Sequence, residues 1–212
     1  MKRVSALFFL FTVLLALPAQ AQKTDNKLTK LIEKEVNGFH GIAGIYVKNL
    51  KTGREAVYNA DTLFPTASTI KIPIMVGIFN KIVNKELNYY QPLTYSKRKQ
   101  LYAGDDGLIA LLQDSSKVSL SIVQMLSITT SDNSASLWLQ ELAGTGTEIN
   151  NLMNSIGLKN TRVNSRTPGR EDIREIYGWG HTTPREMAGL LVKIRNREIL
   201  SPAACDEMYR IL

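Results

Sequence analysis

Residues 64–73 read Phe64-Pro65-Thr66-Ala67-Ser68-Thr69-Ile70-Lys71-Ile72-Pro73 and run on into Ile74-Met75-Val76-Gly77-Ile78-Phe79. The apolar run predicts a long helix from Ser68 to about Ile82, with Pro73 removing one backbone donor in its early turns. On such a helix, a hydroxyl and an amine three residues apart lie on one face. A serine alcohol is a poor nucleophile unaided, and an amine that can accept its proton corrects that. Ser-x-x-Lys alone is a common pattern. Sixty residues later comes Ser131-Asp132-Asn133. The two elements in this order are a specific pairing for a lysine-assisted serine nucleophile. Taken alone, Ser131-Asp132-Asn133 reads better as an ordinary turn between two helices, with Asp132 bracing it.

The rest of the chain is predicted outward from these two motifs. A helix over residues 24–37 carries Leu28, Leu31, Ile32 and Val36 near helical spacing. Two strands, 41–50 and 54–59, flank Lys51-Thr52-Gly53 and make a hairpin. Residues 90–118 are polar and irregular. A helix from Leu120 shows Ile122, Met125, Leu126 and Thr129 on one face, and a second, after Asn133, carries Ala135, Trp138, Leu139 and Leu142. Thr145-x-x-Glu148 and Thr183-Pro184-x-Glu186 read as capping boxes. The first opens a helix with Ile149, Leu152, Met153 and Ile156, and the second one with Met187, Leu190, Leu191 and Ile194. Residues 158–182 form a long loop without a clear period. Ser201-Pro202 starts a last helix whose apolar stripe is Cys205, Met208, Tyr209 and Leu212.

Composition excludes several classes. The 212 residues are 44% hydrophobic and 21% charged, which suits a globular domain. Lys2 and Arg3, the apolar run from Ala6 to Leu17, and Ala19-Gln20-Ala21 read as a secretory signal cut after Ala21. That run is shorter than the ~20 apolar residues a membrane span needs. Without Lys2 and Arg3 the chain keeps 24 basic and 19 acidic residues, a net charge of +5. Lys97-Arg98-Lys99 is the one dense basic run, too little for a nucleic-acid face. Cys205 is the only cysteine, so no intramolecular disulfide forms, and its setting reads as a small core position. His40 and His181 lie far apart without ligand-spaced neighbours, which disfavours both a metal site and a Ser-His-Asp triad.

With these residues in view, the mature chain resembles the class A serine β-lactamases, within the group that includes penicillin-binding proteins. Phe64-Pro65-x-Ala67-Ser68-Thr69-x-Lys71, Ser131-Asp132-Asn133 and Thr182-Thr183-Pro184-Arg185-x-Met187 carry the resemblance. It implies an α/β fold of the α+β type, with an all-helical lobe beside an antiparallel sheet lobe flanked by the first and last helices. It implies a small-molecule β-lactam substrate, no metal or organic cofactor, and a monomer in the periplasm. Ser68 would attack the lactam carbonyl, and Lys71 is a candidate acceptor of its proton. Ser131 would relay a proton to the departing nitrogen. Asn133 would bind the substrate's amide side chain and help hold Lys71. The backbone N–H of Ser68 would supply half of an oxyanion hole.

Two departures qualify the resemblance. The family places a water-activating Glu in the long loop before a Pro, and that position falls on Thr167, before Pro168. A threonine is no general base at neutral pH, so Glu171, four residues on and roughly where the family carries a water-binding Asn, reads either as its replacement or as a surface loop charge, with Asp172 and Glu175 as weaker candidates. The family's later Lys-Thr-Gly strand has no counterpart. Lys51-Thr52-Gly53 has its letters but precedes the nucleophile. The expectation is therefore residues 1–21 as signal and 22–212 as a catalytic domain lacking its C-terminal strands, an isolated hairpin for a sheet, and poor folding and no activity of the 212-residue chain by itself, the longer gene product being the enzyme. Two rivals remain: a penicillin-binding or transpeptidase-like protein that deacylates slowly, and a non-catalytic or inactive module of the same fold.

Overall fold

The computed structural model describes residues 23–97, 102, 104 and 107–212. The expected signal segment and most of the basic run at 97–99 lie outside the described residues. Among the described residues no helix is long and apolar enough to cross a membrane.

The centre of the molecule is α2 (Lys71–Val83), reached through a 3-10 turn over Ala67–Ile70. Its Ile74, Met75, Val76 and Ile78 are fully buried, each contributing ~1.5–3 kcal/mol through removal of apolar surface from water. Around it pack α3 (Leu120–Thr129), α4 (Asn133–Leu142), α5 (Thr145–Ser155) and α8 (Pro202–Ile211). Gly77 lets α5 approach closely, because a Cβ there would meet Ile149 at 3.0 Å and Ala143 at 3.1 Å.

The second lobe is a sheet of order β1-β3-β2, built from β1 (Lys23–Thr24), β2 (Ile45–Lys48) and β3 (Arg54–Tyr58). The expected hairpin is there: β2 pairs antiparallel with β3, and Asn49 Oδ1 accepts from Lys51 N and Thr52 N in the connecting turn. The hairpin is not isolated, since β1 adds a parallel pairing to β3 that two residues could not announce in sequence. Helix α1 (Asn26–Val36), capped by Asp25 Oδ1 on Leu28 N, lies against β3. Helix α7 (Pro184–Arg195) lies against β2. The last helix packs on α7 and α2, so α7 takes the flanking place expected for it.

A second small sheet positions the nucleophile. Strand β8 (Gly180–Thr182) pairs with β4 (Phe64–Pro65) on one side and β7 (Arg162–Val163) on the other. Thr66 N then donates to Gly180 O at 2.9 Å, so the chain entering Ser68 is tied to the end of the long loop. Only glycine fits at 180, where a Cβ would lie 2.4 Å from Ile70 Cδ1 and 2.6 Å from Arg162 O. The Thr-Thr-Pro-Arg block does structural duty here. Thr183 Oγ1 caps α7 by accepting from Glu186 N at 3.2 Å. The Glu186 carboxylate accepts from Lys159 N, Asn160 N and the Thr161 hydroxyl, bracing the start of the loop. Arg185 forks onto Asp61 at 2.7 and 3.0 Å and lies over the Tyr46 ring.

Several expectations need correction. The loop over 158–182 contains β7, α6 (Glu171–Tyr177) and β8, and the stretch 90–118 contains the paired strands β5 (Pro92–Thr94) and β6 (Lys117–Ser119). In α3 the buried residues are Leu120, Val123, Gln124 and Ser127, while Ile122 and Met125 face outward. That helix is apolar on most of its surface, so its neighbours choose the face. The Thr145 capping box does not form as such: Gly144 occupies the N-cap, and the Thr145 hydroxyl accepts from Thr147 N rather than from Glu148 N. In α8 the buried row is Ala204, Cys205, Met208 and Ile211, with Tyr209 and Leu212 exposed. Cys205 is a core residue as expected, its Sγ donating to Ile199 O, and burial pushes its thiol up from the ordinary value.

Buried His181 on β8 gives a pH test of this packing. Its Nδ1 lies 3.3 Å from Asn164 Nδ2. Burial, then the charges of Arg170 and Arg162, pull the imidazole down to about 4. The folded state therefore favours the neutral ring, while the unfolded chain takes up a proton near pH 6.5. The contribution is intact above about pH 6.5 and is lost as pH falls from there toward 4. Asp61 and Glu207, held low by arginine partners, add acid-side losses of their own. The expected result is that His181→Gln flattens the decline in urea midpoint between pH 6.5 and 4 relative to the parent protein.

Candidate active site

Two backbone irregularities bring the sequence motifs together. Ala67, just before Ser68, has φ +44°, and Ser131, between α3 and α4, has φ +56°. Left-handed backbone at non-glycine residues costs ~1–3 kcal/mol and persists only where surrounding structure fixes it. At Ser131 the fixing agent is Asp132, which is 2% exposed. Its Oδ1 accepts from Ala135 N at 2.7 Å as the cap of α4, and its Oδ2 accepts from Ile109 N at 2.9 Å. Asp132 thus braces the turn from both sides. Asp132→Ala removes a cap worth ~1 kcal/mol and leaves the buried Ile109 N–H unpaired, a further ~1–3 kcal/mol. A fall of ~2–4 kcal/mol in urea-unfolding free energy is the expected result.

Lys71, on the first turn of α2, is 2% exposed. A buried amine of this kind needs acceptors, and the motif supplies them. Its Nζ donates to Ser131 O at 2.5 Å, Ser131 Oγ at 2.7 Å and Asn133 Oδ1 at 3.0 Å. The contact to Ser68 Oγ is longer, 3.5 Å. A second route is shorter: Ser131 Oγ donates to Ser68 Oγ at 2.9 Å. Ser68, Lys71, Ser131 and Asn133 therefore form one hydrogen-bonded cluster. Because Asn133 Oδ1 is engaged by Lys71, its Nδ2 is the atom left to address a ligand. Ser68 is exposed and lies in the first helical turn, where backbone N–H groups lack intrahelical partners.

The cluster opens on a cavity of about 370 Å³ lined by Ser68, Lys71 and Asn133 together with Pro65, Ala67, Tyr102 and the run Ile176–Trp179. That run was not anticipated as part of the site. Its signal in the sequence was an apolar Ile-Tyr-Gly-Trp string ending a stretch otherwise dense in charge.

The loop carboxylates lie elsewhere. Thr167 is buried, donates to Ser165 O at 3.0 Å, and packs on α5, where a Cβ on Gly146 would meet Thr167 Oγ1. Glu171 opens α6 in an exposed position and accepts from Gly169 N at 3.2 Å. It lines a separate cavity of about 230 Å³ with Asn164, Arg166, Thr167, Pro168 and Arg174. Asp172 and Glu175 are exposed on the same helix, and none of the three carboxylates lines the Ser68 cavity. Among the described residues no three metal-ligating side chains converge.

Residues 25–212 match the β-lactamase enzyme family. The chain belongs to that family. Relatives of this β-lactamase-family chain include β-lactamase AER-1 of Aeromonas hydrophila, 26% identical over 86% of this chain and 59% of that protein. β-Lactamase SME-1 of Serratia marcescens is 28% identical over 91% of this chain and 66% of its own length. The chain thus spans about three-fifths to two-thirds of these curated relatives. Among solved structures, a mutant of PBP-A in an acyl-enzyme complex with penicillin G superimposes with a TM-score of 0.78 at 30% identity, covering 90% of this chain and 69% of that one. The mixed α/β architecture with a helical lobe and small sheets is the one these neighbours share.

Proposed function

We propose that this protein opens the β-lactam ring by acyl transfer to Ser68 and then hydrolyses the ester. Ser68 Oγ bonds to the lactam carbonyl carbon while its proton passes, through Ser131, to Lys71 in its neutral amine form. The carbon–nitrogen bond breaks, Ser131 Oγ gives the departing nitrogen a proton, and Lys71 resupplies Ser131. Asn133 Nδ2 donates to the substrate's side-chain amide. The Ser68 N–H contributes one oxyanion donor, a kind of contact worth ~3 kcal/mol in the transition state. Water then attacks the ester, releasing the ring-opened acid and restoring Ser68. The observation carrying this reading is the connected path from Lys71 Nζ through Ser131 Oγ to Ser68 Oγ, in steps of 2.7 and 2.9 Å, at the edge of a cavity. Its test is the progress of penicillin G ring opening: many turnovers per protein are expected, and no ring opening beyond the buffer rate overturns it.

For the second half of the cycle we propose that Glu171, four residues past the Thr167 that stands at the family's general-base position, activates the water. On that assignment Glu171→Gln stalls the cycle at an acyl-enzyme whose release is slowed ~10²–10⁴-fold, the usual contribution of a general base. A second reading, acylation followed by slow release as in a penicillin-binding protein, is favoured by one observation: Glu171 and Ser68 border different cavities. Under it the parent protein shows a single stoichiometric burst and Glu171→Gln releases product at the parent rate. The reading also includes export: residues 1–21 act as a signal cut after Ala21, and residues 22–212 form part of a monomeric catalytic domain in the periplasm.

A further inference from the structure

Helix α4 buries a glutamine that its own packing does not call for. Gln140 is 2% exposed, and so is Ser165 in the long loop opposite it. The two exchange a pair of hydrogen bonds. Gln140 Nε2 donates to Ser165 O at 2.5 Å, and Ser165 Oγ donates to Gln140 Oε1 at 3.0 Å. A buried amide is tolerated where its donor and acceptor are engaged, and here one loop residue engages both.

Ser165 stands at the neck of that loop. The N–H groups of Asn164 and Ser165 donate to Trp179 O at 2.7 and 3.0 Å, so the chain leaving at 165 meets the chain returning at 179. Between them run residues 166–178, which include α6 and Glu171. None of the α6 residues is buried, and a segment with few buried contacts has little stability of its own. Its attachments lie at the neck. Thr167 Oγ1 donates to the same Ser165 O at 3.0 Å, and Arg170 Nε donates to Asn164 Oδ1 at 2.9 Å. Arg166, next after Ser165, has φ +48°, a left-handed backbone that persists only where its surroundings impose it.

Gln140 also has a set relation to the nucleophile's cluster. It follows Asn133 by seven residues on α4, two turns and ~10 Å along the same face. Asn133 holds Lys71 at one end of that face, and Gln140 holds the loop at the other.

We propose that Gln140 is a positioning residue for hydrolysis of the acyl-enzyme. Through Ser165 it fixes the loop neck, and with it Glu171, relative to Ser68. The inference rests on ring opening at Ser68 and on Glu171 as the water's base. Capture of the lactam runs through Ser68, Lys71, Ser131 and Asn133, which bond to one another. Release needs a water held against the ester carbon by a group on the loop. Loss of the Gln140 bridge therefore acts on the second step and spares the first.

The test times both steps by intact-mass spectrometry of the full-length protein with penicillin G: the second-order labelling of Ser68 and the first-order loss of the adduct. Gln140→Leu is expected to slow adduct loss ~10²-fold, the effect of a displacement of about 1 Å at reacting groups, with labelling within about threefold of the parent. Gln140→Glu adds a pH signature. A protonated carboxyl donates through one oxygen and accepts through the other, so it can remake both bonds. The carboxylate can only accept, and it faces the Ser165 carbonyl. Burial raises such a carboxyl above its ordinary ~4.3. Adduct loss in Gln140→Glu, as a fraction of the parent's at the same pH, should therefore rise as pH falls from about 8 to about 6. Should Gln140→Leu fail to fold, Ser165→Ala, which deletes one of the two bonds, should slow adduct loss with the same selectivity. Adduct loss at the parent rate in Gln140→Leu, or labelling and loss slowed together, overturns the assignment. If the parent protein never labels at Ser68, the ring-opening reading falls and takes the role of Gln140 with it.

Discussion

Ser68→Ala is expected to abolish covalent capture of β-lactams, with ring opening down by at least ~10⁴-fold, as for loss of a nucleophile in other acyl-transfer enzymes. Stability should hardly change. Ser68 is exposed at the mouth of the cavity, and its hydroxyl accepts from Ser131 and Lys71, which keep each other as partners in the variant. Loss of labelling with an unchanged urea midpoint would therefore be a chemical effect. Retained turnover would mean that another group, or a water, attacks the ring.

Lys71→Ala should be nearly as damaging to acylation and far worse for folding. Its Nζ donates to Ser131 O, Ser131 Oγ and Asn133 Oδ1 at a site 2% open to solvent. Truncation leaves these acceptors unpaired, at ~1–3 kcal/mol for each that water cannot reach, and removes the proton acceptor, at ~10²–10⁴-fold in rate. Lys71→Arg separates the two effects. A guanidinium can donate to the same oxygens yet cannot give up a proton in a protein. It should recover part of the lost stability and none of the acylation rate. Recovery of both would assign Lys71 a purely structural role.

These effects concentrate where the sequence was most legible, and the reason is physical. Ser68 and Lys71 are one turn apart, so helix geometry alone puts their side chains on one face. Ser131, Asp132 and Asn133 had to break a helix, and their side chains are the kind that brace and cap breaks. The apolar helices α2, α4 and α5 carried enough periodic positions to declare themselves. Strands β1, β4 and β7 span two residues each, and alternation cannot be seen in two residues. Helix α6 is seven residues long, is rich in charge and buries none of its residues, so it presents no apolar stripe to read. In α3 the stripe was present but wrapped the helix, and only contact with neighbouring helices selects Leu120 and Val123 over Ile122 and Met125. The aromatic run at Trp179 was hidden for a related reason. A short irregular run reveals what it lines only once β8 is paired with β4, which carries the chain directly into Ala67 and Ser68.

Register arguments also reach only so far within the loop. Counting from fixed motifs puts Thr167 where a general base belongs and the nearest carboxylate, Glu171, four residues on. Local packing decides where those side chains go. Thr167 turns into α5 against Gly146, and Glu171 folds onto Gly169 N at the start of α6. A carboxylate near the right count can thus border the wrong cavity.

The central claim is that the Ser68 hydroxyl, poised by Ser131 and Lys71, becomes the acyl acceptor. The most direct measurement is intact-mass spectrometry of the full-length protein quenched seconds after mixing with penicillin G, followed by peptide mapping of the adduct. The account predicts one added penicillin mass on the peptide containing Ser68, and none in Ser68→Ala. An adduct on any other residue, or ring opening with no Ser68 adduct under rapid quench, would contradict it.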